Sequence, residues 1–370
     1  MHGADYAFRL LVSSREKPSD VLGSQAGLGA AVATESGGEL GEVEEIRARG
    51  YWELVWRRFR RDKVAIASGF FIIFMILVAF VGAPIAENYS GHGPNDLFTV
   101  ACCPGSKDEP VQTVGLLPGG PWTEFKNPYT GEDDVMVLGA ANRLGQDEFL
   151  RLLYGARVSL EVAVFSTLGV MIIGVILGSI AGYFRGWTDT LISRVTEISM
   201  AFPVLLFVIA LAATVGPRLN AITFGIFPEG VITLVLIFSI FGWFYPARIM
   251  RAQVLSIREK EYIEAARMIG ASDGRIIRSH VLPHLVAPII VYSTLIVASY
   301  VLLEAGLSFL GVGIPIDTPS WGNLLSSAPE YYTTRPLLMV WPGLAVLLAT
   351  LAFNLLGDGL RDAFDPRSSR

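Results

Sequence analysis

Few residues in this chain stand in an arrangement that performs chemistry unaided. His280 and His284 are four apart and would share a helix face toward a metal, but Pro283 lies between them and no third ligand is nearby. The only cysteines are the adjacent pair Cys102 and Cys103. A strained vicinal disulfide, a cross-link to another molecule and two ordinary thiols all fit that spacing, whereas a zinc framework does not. Glu132-Asp133-Asp134 is an acidic run without calcium-loop spacing, which reads as solvated surface. No Gly-x-x-x-x-Gly-Lys-Ser/Thr loop, Gly-x-Ser-x-Gly elbow or His-Glu-x-x-His pair occurs anywhere. The expectation is a chain with no catalytic residue, no metal site and no means of its own to bind ATP. Nothing in it points to nucleic acid.

The spacing that does carry a function is mechanical. In the stretch from Glu261 to Gly270, Tyr262, Ala266 and Ile269 fall at i, i+4 and i+7 and would share one helix face, with Glu261, Glu264 and Arg267 elsewhere on the surface. Gly270 sits where a helix ends in the left-handed conformation that glycine adopts cheaply. Adjacent Ala265 and Ala266 let another backbone approach closely, so this short helix reads as a docking surface for a separate motor. The alternative is an interfacial helix lying on lipid.

The elements around it must hold such a helix at a membrane. Charged residues make up 17% of the chain and hydrophobic ones 52%, too apolar for an ordinary soluble domain of this length. Crossing the ~30 Å hydrocarbon core takes about 20 mostly apolar helical residues. Six stretches meet or approach this: Val64 to Ile85, Val158 to Tyr183, Leu191 to Val215, Val231 to Ile249, Leu285 to Leu303 and Leu337 to Leu356. Basic residues from Arg57 to Lys63 and from Arg248 to Arg278 place the region before the first span and the patterned loop in the cytoplasm, with both termini on that side. Arg143, Arg151 and Arg157, before the second span, run against this rule.

The expected organisation is a disordered cytoplasmic extension over 1–46, then an interface helix and first span over 47–86. An extracytoplasmic loop over 87–157 follows, then a five-helix core over 158–357 with the patterned loop at about 251–284, and a cytoplasmic tail over 358–370. Tyr51, Trp52, Leu54, Val55, Trp56 and Phe59, interspersed with arginines, read as an amphipathic helix at the inner lipid interface. The outer loop forms either a small cap or an ordered insertion.

Within the spans, Gly174, Gly178 and Gly182 repeat every four residues and read as a helix-packing seam. Pro203 and Pro246 can kink their helices. Arg194 and Glu197 are three apart and can pair. Glu304 and Glu161, like that pair, lie mostly near span ends, where water contact softens the cost of a charge, and read as structural or gating residues rather than proton carriers.

Glu264-Ala265-Ala266, three residues, Gly270, nine residues, His280, Val281 and Leu282-Pro283 resembles the EAA loop of ABC-importer membrane subunits; the isoleucine usual ten residues after the glycine is His280 here. Leu152 to Leu160, Glu304 to Gly311, Pro319-Ser320-Trp321-Gly322-Asn323 and Asn354 to Asp362 are similar to successive blocks of the C-type permease subunits of dipeptide and oligopeptide importers. The block Gly139 to Asp147 departs from that family's pattern before the second span.

The resemblance implies an all-α membrane protein of the type I ABC importer fold, with six transmembrane helices, in the cytoplasmic membrane of a prokaryote. It implies that Tyr262, Ile263, Glu264, Ala265, Ala266, Ile269, Gly270 and Pro283 belong to the loop that couples to ATPase subunits. The partners implied are a second homologous permease, two ABC ATPases carrying ATP and Mg, an extracytoplasmic substrate-binding protein and membrane lipid. The chain would form half of a path for peptides or a related small solute. Two other classes compete: a gradient-driven secondary transporter or channel, and a membrane-anchored scaffold with a sensory outer loop.

Overall fold

The computed structural model describes residues 51–97, 122–126, 133–142, 145–220 and 228–365. Contacts divide the chain into Met1–Gly50 and Tyr51–Arg370, and everything below lies in the second unit. The expected disorder over 1–46, the Cys102–Cys103 pair, Glu132 and Arg143 lie outside the described residues.

A short helix, α1 (Tyr51–Phe59), leads through the Asp62 cap into α2 (Lys63–Ser90). A two-stranded antiparallel hairpin, β1 (Thr123–Lys126) and β2 (Asp133–Met136), precedes α3 (Glu148–Phe184). Then come α4 (Gly186–Ala201), α5 (Val204–Asn220), α6 (Val231–Gly242), α7 (Phe244–Arg258) and α8 (Glu261–Met268). The long helix α9 (Asp273–Phe309), the short α10 (Trp321–Ser327) and α11 (Leu337–Phe364) complete the fold.

Helices α2, α3, α9 and α11 are each long and apolar enough to cross a membrane, and the bent pairs α4/α5 and α6/α7 make up six spans if each pair crosses once. Side-chain contacts give their directions. The end of α2 meets the start of α3 where Tyr154 hydrogen-bonds Glu87, and the end of α3 meets α9 at its start, where Tyr183 donates to Asp273. The described chain begins and ends together, since Arg58 donates to the Asp365 carbonyl at 2.7 Å and Trp52 packs edge-on against Phe364. Apolar side chains such as Phe70, Phe74 and Leu77 on α2 are exposed, as lipid contact requires.

Proline accounts for the interruptions. Pro203 does not merely kink the third span: α4 ends at Ala201, Phe202 is extended (φ −85°, ψ 141°) as residues before proline tend to be, and α5 departs at 85°. Pro246 lacks the donor that would bond the Gly242 carbonyl, and α6 and α7 bend by 44° there. Pro84 and Pro283 each follow a π-helical turn, Val78–Gly82 and Ile277–Val281, where the ladder shifts to absorb the missing bond without breaking the helix.

Several boundaries differ from the sequence expectation. The second helix starts at Glu148 instead of 158, because its polar first turns are buried and satisfied by neighbouring loops. The first span runs to Ser90, past 86, and the last helix to Phe364, past 357. Between α2 and α3 the chain adds the β-hairpin to an otherwise helical fold among the described residues.

Candidate functional site

Helix α8 is fastened to the chain by one face and bare on the other. Ile263 is 0% and Ala266 6% exposed, packed with Val254, Ile257, Ile276, Val281 and Leu285 from α7 and α9. Met268 and Ile269, by contrast, are 82% and 85% exposed, and Tyr262 is exposed too while its ring stacks on His284, 5.5 Å away. The expected shared face of Tyr262, Ala266 and Ile269 therefore divides: Ala266 turns inward and the other two outward. Ile263 competes for the core side, and the helix stops at Met268, leaving Ile269 at its cap.

The stop is a Schellman motif. Gly270, at φ +83°, donates to the Arg267 carbonyl at 3.0 Å, and the Ala271 amide donates to the Ala266 carbonyl at 3.0 Å. No atom lies within 4 Å of where a Gly270 Cβ would stand, so glycine is needed for its backbone and not for space. Ala265 and Glu264 are exposed, and the Glu264 carboxylate makes no ion pair or hydrogen bond among the described residues. Pro283 starts the α-helical part of α9 and His280 sits half-buried at the rim of the Ile276–Val281–Leu285 core, in place of an isoleucine.

Around the end of α3, ion pairs and hydrogen bonds converge on the flanks of α8. The chain turns sharply at Arg185 (φ 57°, ψ −164°) and Gly186 (φ 61°), a backbone region nearly closed to residues with a side chain and costing about 1–3 kcal/mol. Arg185 pairs with Glu259, and Arg251 of α7 grips Asp189 of α4 with two nitrogens, one bond being 2.7 Å. Tyr183 is buried in the middle, holding Asp273 with its hydroxyl at 2.7 Å.

Above this junction the glycine repeat meets α7 at backbone distance. A Cβ added at Gly174 would stand 2.8 Å from Cβ of Pro246, at Gly178 2.5 Å from the Ala247 carbonyl oxygen, and at Gly182 2.8 Å from the Arg251 carbonyl oxygen. Such closeness is what small residues allow between membrane helices.

The opposite end of the molecule is polar and closed. Arg151 is buried and donates to Asn95 Oδ1 at 2.9 Å, Gln146 Oε1 at 2.8 Å and the Ile316 carbonyl at 3.0 Å. Asp147 caps α3 by accepting from the Phe149 amide at 2.7 Å and meets His92 Nε2 at 3.1 Å, so the divergent block from Gly139 to Asp147 still ends on a working N-cap. Arg157 pairs with Glu161 at 2.8 Å and lies over Phe80. Arg157 is thus paired with an acid and Arg151 is buried among neutral acceptors, so neither stands as a free basic residue beside the span.

Glu304 corrects an expectation. It is fully buried at 0% exposure, not softened by water at a span end. Ser308 donates to its Oε1 at 2.8 Å, and Ser159 and Ser320 stand near. Ser308 Oγ also receives the Ile314 amide, the Trp321 amide donates to Ser159 Oγ at 3.3 Å, and Gly155 and Gly322 admit the α10 turn and α9 at Cβ distances of 3.1 and 2.5 Å. Three of the sequence blocks singled out above thus meet in one knot.

Arg194 and Glu197 do pair, at 2.8 Å, but on the exposed side of α4, with side chains 72% and 62% accessible. Glu197 also lines a cavity of about 280 Å³ with Ser193, Thr196, Arg248 and Arg251. Sequence reasoning missed Arg151, Tyr183 and Asp189. Only the first stood out, as a basic residue in the wrong place.

The family described as binding-protein-dependent transport system inner membrane component matches residues 174–370, and that described as the N-terminal TM domain of oligopeptide transport permease C matches residues 50–98. The dipeptide transport system permease protein DppC of Alkalihalophilus pseudofirmus is 36% identical over 319 residues, covering 85% of this chain and 90% of that protein. The glutathione transport system permease protein GsiD of Pectobacterium atrosepticum is 34% identical over 329 residues, covering 88% and 94%. Among solved structures, a chain of the MetNI methionine ABC transporter in an inward-facing conformation aligns with a TM-score of 0.46 at 18% identity, over 58% of this chain and 96% of that one.

Proposed function

Since this chain belongs to the family of inner membrane components of binding-protein-dependent transport systems and is a permease subunit of an ABC importer, we propose that α8 is the helix through which ATPase subunits drive it. The observation that carries this is the division of α8 into an anchored face, Ile263 and Ala266, and a bare one, Met268, Ile269 and exposed Glu264. Large apolar side chains exposed beyond a membrane span, rimmed by charge, fit a partner's cleft. Tyr262, Ala265 and Pro283 complete the docking loop.

In this reading the α8 end and both termini face the cytoplasm, in keeping with their arginines. A second, homologous permease supplies the other half of the path, two ATPases hold ATP and Mg, and the binding protein delivers cargo at the opposite end. The cargo is a peptide or a related small solute, as the names of the dipeptide and glutathione relatives indicate. Closure of the ATPases pushes α8, and the spans carry the movement in alternating access. The broken segment at Pro203, with the Arg194–Glu197 pair, is placed to rearrange, while Glu304 holds the far end together. The family leaves no case for a gradient-driven transporter or channel.

The test is co-purification of the complex in mild detergent. Ile269→Asp and Met268→Asp should insert normally yet lose the ATPase subunits. Glu264→Ala should weaken their binding. Full recovery of ATPases and normal uptake in all three variants would sink the assignment of α8.

A further inference from the structure

We infer that Tyr183 is a positioning residue for transport: it clamps both flanks of α8, and α8 itself, to the end of the second span. The inference rests on the coupling role given to α8.

Three parts of the loop reach this one buried side chain. From before α8, Arg258 donates to the Tyr183 carbonyl and its guanidinium lies 5.7 Å from the ring centroid. From α8, the Arg267 guanidinium lies over the same ring at 5.3 Å. From after α8, Asp273 accepts the Tyr183 hydroxyl proton in a 2.7 Å hydrogen bond. Arg258 and Arg267 stand within cation–π range, and a hydrogen bond to a carboxylate is stronger than one between neutral groups.

The position of Tyr183 gives the clamp its consequence. It is one residue beyond Gly182, the last glycine of the seam against α7, and two before Arg185, where the backbone turns in a strained conformation. Ile263 and Ala266 also anchor α8, but apolar contacts are non-directional and permit sliding. The Tyr183 contacts are directional, so a push on α8 reaches α3 at a defined point. Apolar packing keeps α8 attached, and Tyr183 sets the angle at which it acts.

The experiment uses the complete importer, with its second permease, both ATPases and binding protein, in liposomes. The readout is ATP hydrolysis with binding protein present divided by hydrolysis without it. Tyr183→Phe removes the hydroxyl that bonds Asp273, keeping the ring and the carbonyl, and Asp273→Ala breaks the same bond from the other side. Each should lower the ratio about tenfold, the low end of the scale of a lost hydrogen bond to a charged group, with both ATPases still bound. The double variant should fall no further, as expected for two changes at one contact.

A wild-type ratio in both single variants, or reductions that multiply in the double variant, overturns the inference. Ile269→Asp keeps the two readings apart. If it loses the ATPases while Tyr183→Phe has a wild-type ratio, only the Tyr183 inference falls; if it keeps them, the coupling role of α8 falls and the inference with it.

Discussion

The two ends of this permease subunit satisfy their polar and apolar groups in opposite ways. At the far end, Arg151, Asp147, Glu304 and Ser308 are buried and hold groups of the same chain: Arg151 bonds Gln146 and the Ile316 carbonyl, Asp147 bonds His92 and the Phe149 amide, and Ser308 bonds Glu304. At the α8 end, ion pairs are partly exposed, Glu264 is unpaired among the described residues and Met268 and Ile269 are exposed. One end is built to keep its shape and the other to be finished by a partner. Equal substitutions should therefore cost stability at one end and association at the other.

The largest stability loss is expected from Arg151→Ala, which removes a buried guanidinium and strips donors from buried Gln146, from Asn95 and from the Ile316 carbonyl. Breaking a buried charged network in this way costs about 3–5 kcal/mol, and detergent-solubilised protein should melt far earlier or fail to accumulate. Ser308→Ala should cost about 2 kcal/mol, because both Glu304 Oε1 and the Ile314 amide lose a buried partner; a thermal-shift assay in detergent checks it.

At the α8 end, Gly270→Ala should cost only about 1 kcal/mol, set by its left-handed φ with open space around it. Its measurable effect should be weaker ATPase retention. Arg194→Ala removes an exposed pair and should change stability by less than about 0.5 kcal/mol. A large destabilisation from Arg194→Ala, or a mild one from Arg151→Ala, would erase the contrast between the ends.

Much of this was legible from residue order. Apolar length marks the spans, proline marks the breaks, and Gly270 marks the end of α8. These signals are local: each needs only its own neighbours along the chain. What was not legible depends on radial position. Glu304 lies near a helix end, and depth along a helix says nothing about whether a side chain faces lipid, water or a serine-lined interior. Arg151 looked like a misplaced charge because its acceptors, Asn95, Gln146 and the Ile316 carbonyl, are scattered along the sequence. The face of α8 was misjudged for a related reason: Ile263 and Tyr262 are adjacent, and only the α7 and α9 core decides which turns inward.

The glycine seam sets the number of independently moving parts. Where Gly174, Gly178 and Gly182 bring α3 against α7, backbone lies against backbone and no long side chain remains to act as a hinge or slip plane. The second span and the adjoining part of the fourth must then travel as one rod, with α4 tied to it through Arg251 and Asp189, and the freedom left to this subunit lies in α5, which the 85° break at Pro203 separates from α4.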